Sequence, residues 1–136
     1  MQNTIQQYLT AVPDSLMRRA LQFLFAPLGD RYSTVMLSTA GLVIKAGTSA
    51  IVKTGATAFY ALAGGTLVTK AAATDMAALV GTVAADAFNV YVFYVDSAGN
   101  LTSQMGTAGA TLAAVVFPEP PQFKAIIGFV VINPTG

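Results

Sequence analysis

Six acids, seven bases, no histidine and no cysteine make up the charged and nucleophilic inventory of this 136-residue chain. The acids are Asp14, Asp30, Asp75, Asp86, Asp96 and Glu119. Two carboxylates brought together could hydrolyse a glycoside, one as the acid and the other as nucleophile or base. Each, however, has a local use nearby: Asp14 stands where a helix needs a cap, Asp96 opens a turn, and Asp75 and Asp86 flank a loop or short helix. The missing histidine removes the commonest general base and transition-metal ligand. The missing cysteine removes thiolate and disulfide chemistry. A serine nucleophile finds no GxSxG elbow. A serine–lysine pair could draw on Lys45, Lys53 or Lys70, but lysines at turns serve solubility first. Neither GxGxxG nor GxxxxGK[ST] occurs to cradle phosphate. The sequence DSAGN at 96–100 has the flavour of a calcium loop without its density of oxygen ligands or its closing glutamate, and reads as a hairpin turn. The expectation is a protein with no catalytic residues, no cofactor and no metal, hence not an enzyme.

Composition points the same way. Charged residues are 10% of the chain and hydrophobic ones 54%, with a mean hydropathy of +0.63. A typical soluble domain carries roughly 25% charge. No apolar run approaches the ~20 residues of a membrane-spanning helix. The excess comes from Ala, Val and Leu interleaved with Thr and Gly, the composition of β structure with small side chains. So few charges leave a surface prone to association, which other copies or partners are expected to cover. The net charge of +1, with basic residues scattered apart from Arg18-Arg19, argues against nucleic acid. The start MQNTIQQYLTAVPDS lacks the basic and apolar segments of a secretory signal.

The elements divide the chain into a helical arm over 1–31 and a β domain over 32–136. In the arm, Ile5, Tyr8, Leu9 and Val12 share one helical face, and Pro13 stops that helix. A second helix over 15–26 aligns Met17, Ala20, Leu21, Leu24 and Leu28, with Arg18, Arg19 and Gln22 opposite, and Pro27 and Gly29 are expected to end it. Such a stripe could lie on a membrane surface, but two arginines give little attraction to lipid, so docking on protein is the preferred reading.

From Tyr32 onward, Val, Ile, Thr and aromatic runs divided by glycine predict strands. IKAGTSA at 44–50 is echoed by VKTGATA at 52–58, a spacing that suits successive short antiparallel strands. TAFYAL and TLVTK form a hairpin about Gly64-Gly65. A short helix or irregular connection is expected near Asp75–Leu79. NVYVFYV at 89–95 is apolar on both faces, with DSAGN turning it into the half-polar LTSQM. Pro118, Pro120 and Pro121 enforce an extended corner before KAIIGFVVI, where Gly128 suggests a bulge. The fold class is therefore mainly β: an antiparallel sandwich or barrel-like domain of seven to nine strands behind a two-helix arm. One face of 89–95 should enter the protomer's core. The other should meet a second layer of sheet or a neighbouring protomer, with the Tyr91 hydroxyl at a wet edge. Aromatics inside strands (Phe59, Tyr60, Phe88, Tyr91, Phe93, Tyr94) fit core or interface better than a sugar groove.

FYALAGGTLVTK, then NVYVFYVDSAGNLTSQMG, then an apolar segment ending in PEPPQFKAIIGFVVI give the region 51–132 a resemblance to small tailed-bacteriophage virion proteins of the capsid-decoration (cement) and head-fibre type. The resemblance implies a non-enzymatic protein, made in the host cytoplasm, that assembles with itself, as a homotrimer, and decorates or reinforces the capsid surface. Its partners would be its own copies and the major capsid protein or another virion protein, with no nucleic acid or membrane. On that expectation Ile5, Tyr8, Leu9, Val12, Met17, Leu21 and Leu24 dock the arm, and Tyr91, Phe93 and Val95 face a neighbouring protomer. The alternative is a fibre or adhesin domain that binds a host-surface glycan or acts as a tail attachment module.

Overall fold

A computed structural model describes residues 15–45 and 52–134. The chain divides into two compact units, one reaching Tyr32 and one beginning at Ser33. Helix α1 spans Ser15–Ser33, all but its last residue in the first unit. It continues through Pro27 and Gly29, where the sequence predicts a stop. Proline forfeits one intrahelical hydrogen bond but its fixed φ remains compatible with the helix, so the penalty of ~3 kcal/mol acts on a segment that is helical on both sides. The expected helix over 4–12 lies outside the described residues. No helix among the described residues is long and apolar enough to cross a membrane.

The second unit contains eight short strands among its described residues: β1 Val35–Met36, β2 Val43–Ile44, β3 Val52–Lys53, β4 Phe59–Ala63, β5 Thr66–Lys70, β6 Asn89–Val95, β7 Leu101–Met105 and β8 Ala125–Ile132. All pairings are antiparallel, in three sheets of order β1-β4-β5, β2-β3 and β7-β6-β8. The molecule is mainly β, as its composition predicts, but it does not close into a barrel. The two three-stranded sheets share one core. Strand β4 alternates, sending Phe59, Ala61 and Ala63 inward, where they meet Val68 of β5, Phe93 and Val95 of β6, and Ala125 and Ile127 of β8. The small alanines of β4 leave room for the large rings opposite.

The echoed segment becomes the β2-β3 pair, Val43 opposite Lys53 and Ile44 opposite Val52. Next to it, of the short helix or irregular connection expected near Asp75–Leu79, the irregular connection is what forms. The 71–76 segment turns through Ala73, at φ +53°, and is held by the backbone of β3 and the residue after it: Thr54 N–H donates to Thr74 O at 2.9 Å, and Met76 N–H to Val52 O at 2.7 Å. Backbone pairing with a strand overrides alanine's helical propensity here.

In β8 the register against β6 steps from Phe93–Gly128 to Tyr94–Ile126, leaving Ile127 as the extra residue of a bulge. The apolar stretch 111–117 contains one 3-10 turn, Leu112–Ala114, before the proline corner.

Candidate functional site

Among the described residues the carboxylates do not gather. Asp75 is paired with Lys45 at 2.8 Å, both side chains about half exposed. Asp96 spends its carboxylate on its own turn: Oδ1 accepts from Ala98 N–H at 3.0 Å and Asn100 N–H at 2.8 Å, and Oδ2 from the Asn100 side-chain amide at 3.0 Å. Those bonds, the Asn100 side chain's first, hold the Asp96 carboxyl below its ordinary value. With its oxygens turned onto local donors and Gly99 at φ +80°, DSAGN is a hairpin turn, as the sequence predicts. Asp86 is exposed. Asp14 lies outside the described residues, and Asp30 lies within α1. Among the described residues no three acids come close enough to hold a metal ion. Lys124 donates to Thr102 Oγ1 at 3.3 Å, away from any nucleophile–base pair.

The residues assigned to contacts are redistributed by the structure. Tyr91, Phe93 and Val95 are 2%, 0% and 0% exposed, so they have no surface to offer a neighbouring protomer. Phe93 and Val95 belong to the shared core, and the Tyr91 hydroxyl donates to Met105 Sδ at 3.1 Å instead of reaching a wet edge. The expectation of a protomer interface at these three is corrected: β6 is the central strand of its sheet, so its inward face is filled from within. In the arm, Met17 and Leu24 are exposed and Leu21 is half-buried, while Leu16 and Phe23, off the expected stripe, are exposed as well. Ile5, Tyr8, Leu9 and Val12 lie outside the described residues.

The second face of β6 carries Val90, Val92 and Tyr94, and its cover comes from the same chain. After β7 the chain doubles back through two bridges, Phe88–Gly109 and Thr107–Val116, which bring Val115 onto these three side chains. Gly106 permits the return, because a Cβ there would collide with Val116 O and Val90 Cγ1. The following residues, Phe117-Pro118-Glu119-Pro120, then form one wall of a cleft of about 400 Å3. Its remaining lining is Val92 and Tyr94 of β6 with Ile126 and Phe129 of β8. Phe117 and Phe129 meet edge to face, with centroids 5.2 Å apart and an interplanar angle of 85°.

Two polar groups stand in this apolar setting. Glu119 is exposed and has no ion pair among the described residues. Tyr94 is buried, its hydroxyl is sealed from water, and it has no hydrogen-bond partner among the described residues. Burial raises the Tyr94 pKa above its ordinary value of 10.0, because the phenolate would be poorly solvated there. Sequence reasoning reads the PEPP segment as a corner and does not find the cleft. Phe117 immediately before the prolines is the local signal that the corner has a packing partner.

A second apolar surface lies on the outer face of the β1-β4-β5 sheet. Register places Val35 opposite Leu62, and Tyr60 and Leu67 point away from the core, with Leu37 beside Tyr60. Val35, Leu37, Tyr60 and Leu67 are 43%, 54%, 45% and 60% exposed. Compared with protein-family models, with curated proteins and with solved structures, the chain matches none.

Proposed function

We propose that this chain is a non-enzymatic structural protein of a tailed-bacteriophage virion, one that associates with its own copies, as a homotrimer, and decorates or reinforces the capsid surface. The observation that carries the assembly half is the outer face of the β1-β4-β5 sheet, where Val35, Leu37, Tyr60 and Leu67 form an exposed apolar surface. Covering such a surface is worth roughly 25 cal/mol per Å2 of apolar area removed from water. A net charge of +1 sets little repulsion against association of like copies. The virion half rests on the sequence resemblance across 51–132. In this reading the copies meet through the outer sheet, and the exposed apolar side chains of α1 dock on the major capsid protein or another virion protein.

Light scattering coupled to size-exclusion chromatography tests the assembly half, with a stable trimer as the expected species and a monomer at tens of micromolar (about an assembling protein's working range) as the result that defeats it. Electron microscopy of the parent particle tests the virion half, which fails if no density on the capsid fits this chain.

A further inference from the structure

We propose that the cleft between β6, β8 and the proline segment receives an arginine side chain presented by a partner polypeptide, with the guanidinium held at Glu119. The cleft supplies what such a side chain needs along its length. Val92 and Ile126 line it with aliphatic surface, on which the arginine stem can lie out of water. The edge-to-face pair Phe117 and Phe129 presents ring surface to a planar, weakly hydrated cation, which stacks on aromatics more readily than an ammonium does. Glu119, a carboxylate with no ion pair among the described residues, gives the charge complement in this otherwise apolar lining. The prolines on either side of Glu119 restrict its backbone, so little freedom remains to be lost on binding.

Tyr94 adds an independent observation. A buried hydroxyl with no partner costs roughly 1–3 kcal/mol, and native proteins seldom leave one without a use. A guanidinium presents five N–H donors and a neutral tyrosine oxygen can accept one of them. That hydroxyl is buried as the structure stands, so a donor reaches it only when the side chains around it shift. A purely apolar side chain would leave both Glu119 and Tyr94 unanswered. A pyranose would need several fixed polar partners, and the lining offers two. This inference goes beyond the assembly reading, since the cleft can take an arginine whether or not the copies associate.

The test uses the full-length, isotope-labelled protein and two blocked pentapeptides, identical except that one carries arginine and the other the neutral isostere citrulline at its centre. Backbone resonances are followed during titration of the wild type and of Glu119→Gln, an exposed substitution that leaves the core intact. The arginine peptide is expected to shift Val92, Tyr94, Phe117 and Phe129 saturably. Its affinity should fall about threefold or more with citrulline and again with Glu119→Gln, the scale of one partly exposed ion pair. The proposal is overturned if the cleft resonances do not move. It is equally overturned if either change alters affinity by less than that factor, or if a methyl pyranoside saturates the same resonances more tightly than the arginine peptide.

Discussion

Two buried hydroxyls of similar size have opposite prospects on removal. Thr54 is fully buried, and its Oγ1 accepts from Thr74 N–H at 2.8 Å and donates to Ala71 O at 3.3 Å. Thr54→Val preserves the shape but strands the Thr74 amide, so a loss of roughly 1–3 kcal/mol is expected. A urea midpoint that falls at unchanged slope would register it. Tyr94→Phe deletes a hydroxyl that has no partner, so stability should stay level or rise by about 1 kcal/mol. The pH dependence follows from the raised pKa. The folded state favours the neutral phenol, so this contribution is complete below pH 10.0 and is lost as pH rises through the raised value. The wild type should therefore lose stability above pH 10.0 relative to Tyr94→Phe, and parallel alkaline denaturation curves would refute the assignment. For Asp96 the sign is reversed. Its pKa is lowered, so its contribution is present above the ordinary value of 3.8 and disappears as pH falls through the lowered one. At this scale Asp96 was legible from sequence, because its partners lie within four residues. Thr54 and Tyr94 were not, since the partners of Thr54 lie 17 and 20 residues away and the Tyr94 face is covered by Val115, from the far side of β7.

Strand β6 poses its question at the scale of elements: two apolar faces, of which only one can meet the sheet β1-β4-β5. The answer is the return segment from Gly106 to Pro120, which crosses back over Val90, Val92 and Tyr94. A neighbouring protomer is not required for that cover. Gly106 is the point on which the crossing depends, since any Cβ there meets Val90 Cγ1 at 2.6 Å. Gly106→Val should cost about 1–3 kcal/mol through overpacking. It should also speed hydrogen exchange at Thr107 and Val116, whose amides bond each other's carbonyls at 2.9 and 3.1 Å. Unchanged protection at those two amides would show that the segment is held by something else. The sequence made the strand-turn-strand units readable, because alternation and turn residues are local. It misplaced the end of α1, left a short helix open beside an irregular connection near Asp75–Leu79, and left 111–121 without a partner. In the last two cases a backbone or side-chain contact with a distant strand outweighs local preference.

On the whole-molecule scale, the apolar surplus of the composition appears as exposed side chains on two sides of the β unit. One is the outer sheet with Leu37, Tyr60 and Leu67, and the other surrounds Phe117, Ile126 and Phe129. Leu67→Asp places a charge on the first surface at a residue that is 60% exposed, so the fold should survive while association weakens. If the proposed oligomer forms through this face, sedimentation velocity should show the variant shifted toward monomer relative to the wild type, and an unchanged distribution would remove this face from the assembly. The sequence by itself determined that the chain is mainly antiparallel β, where its hairpins turn, and that Asp96 belongs to its own turn. These follow from periodicity, turn chemistry and composition, which act within a few residues. Only the tertiary structure decided that β6 is covered by its own chain, that Tyr91, Phe93 and Val95 are interior, and that a proline corner becomes the wall of a cleft. Each depends on which distant segments meet. That is settled by burying both faces of one strand at once, a condition no short window of sequence contains.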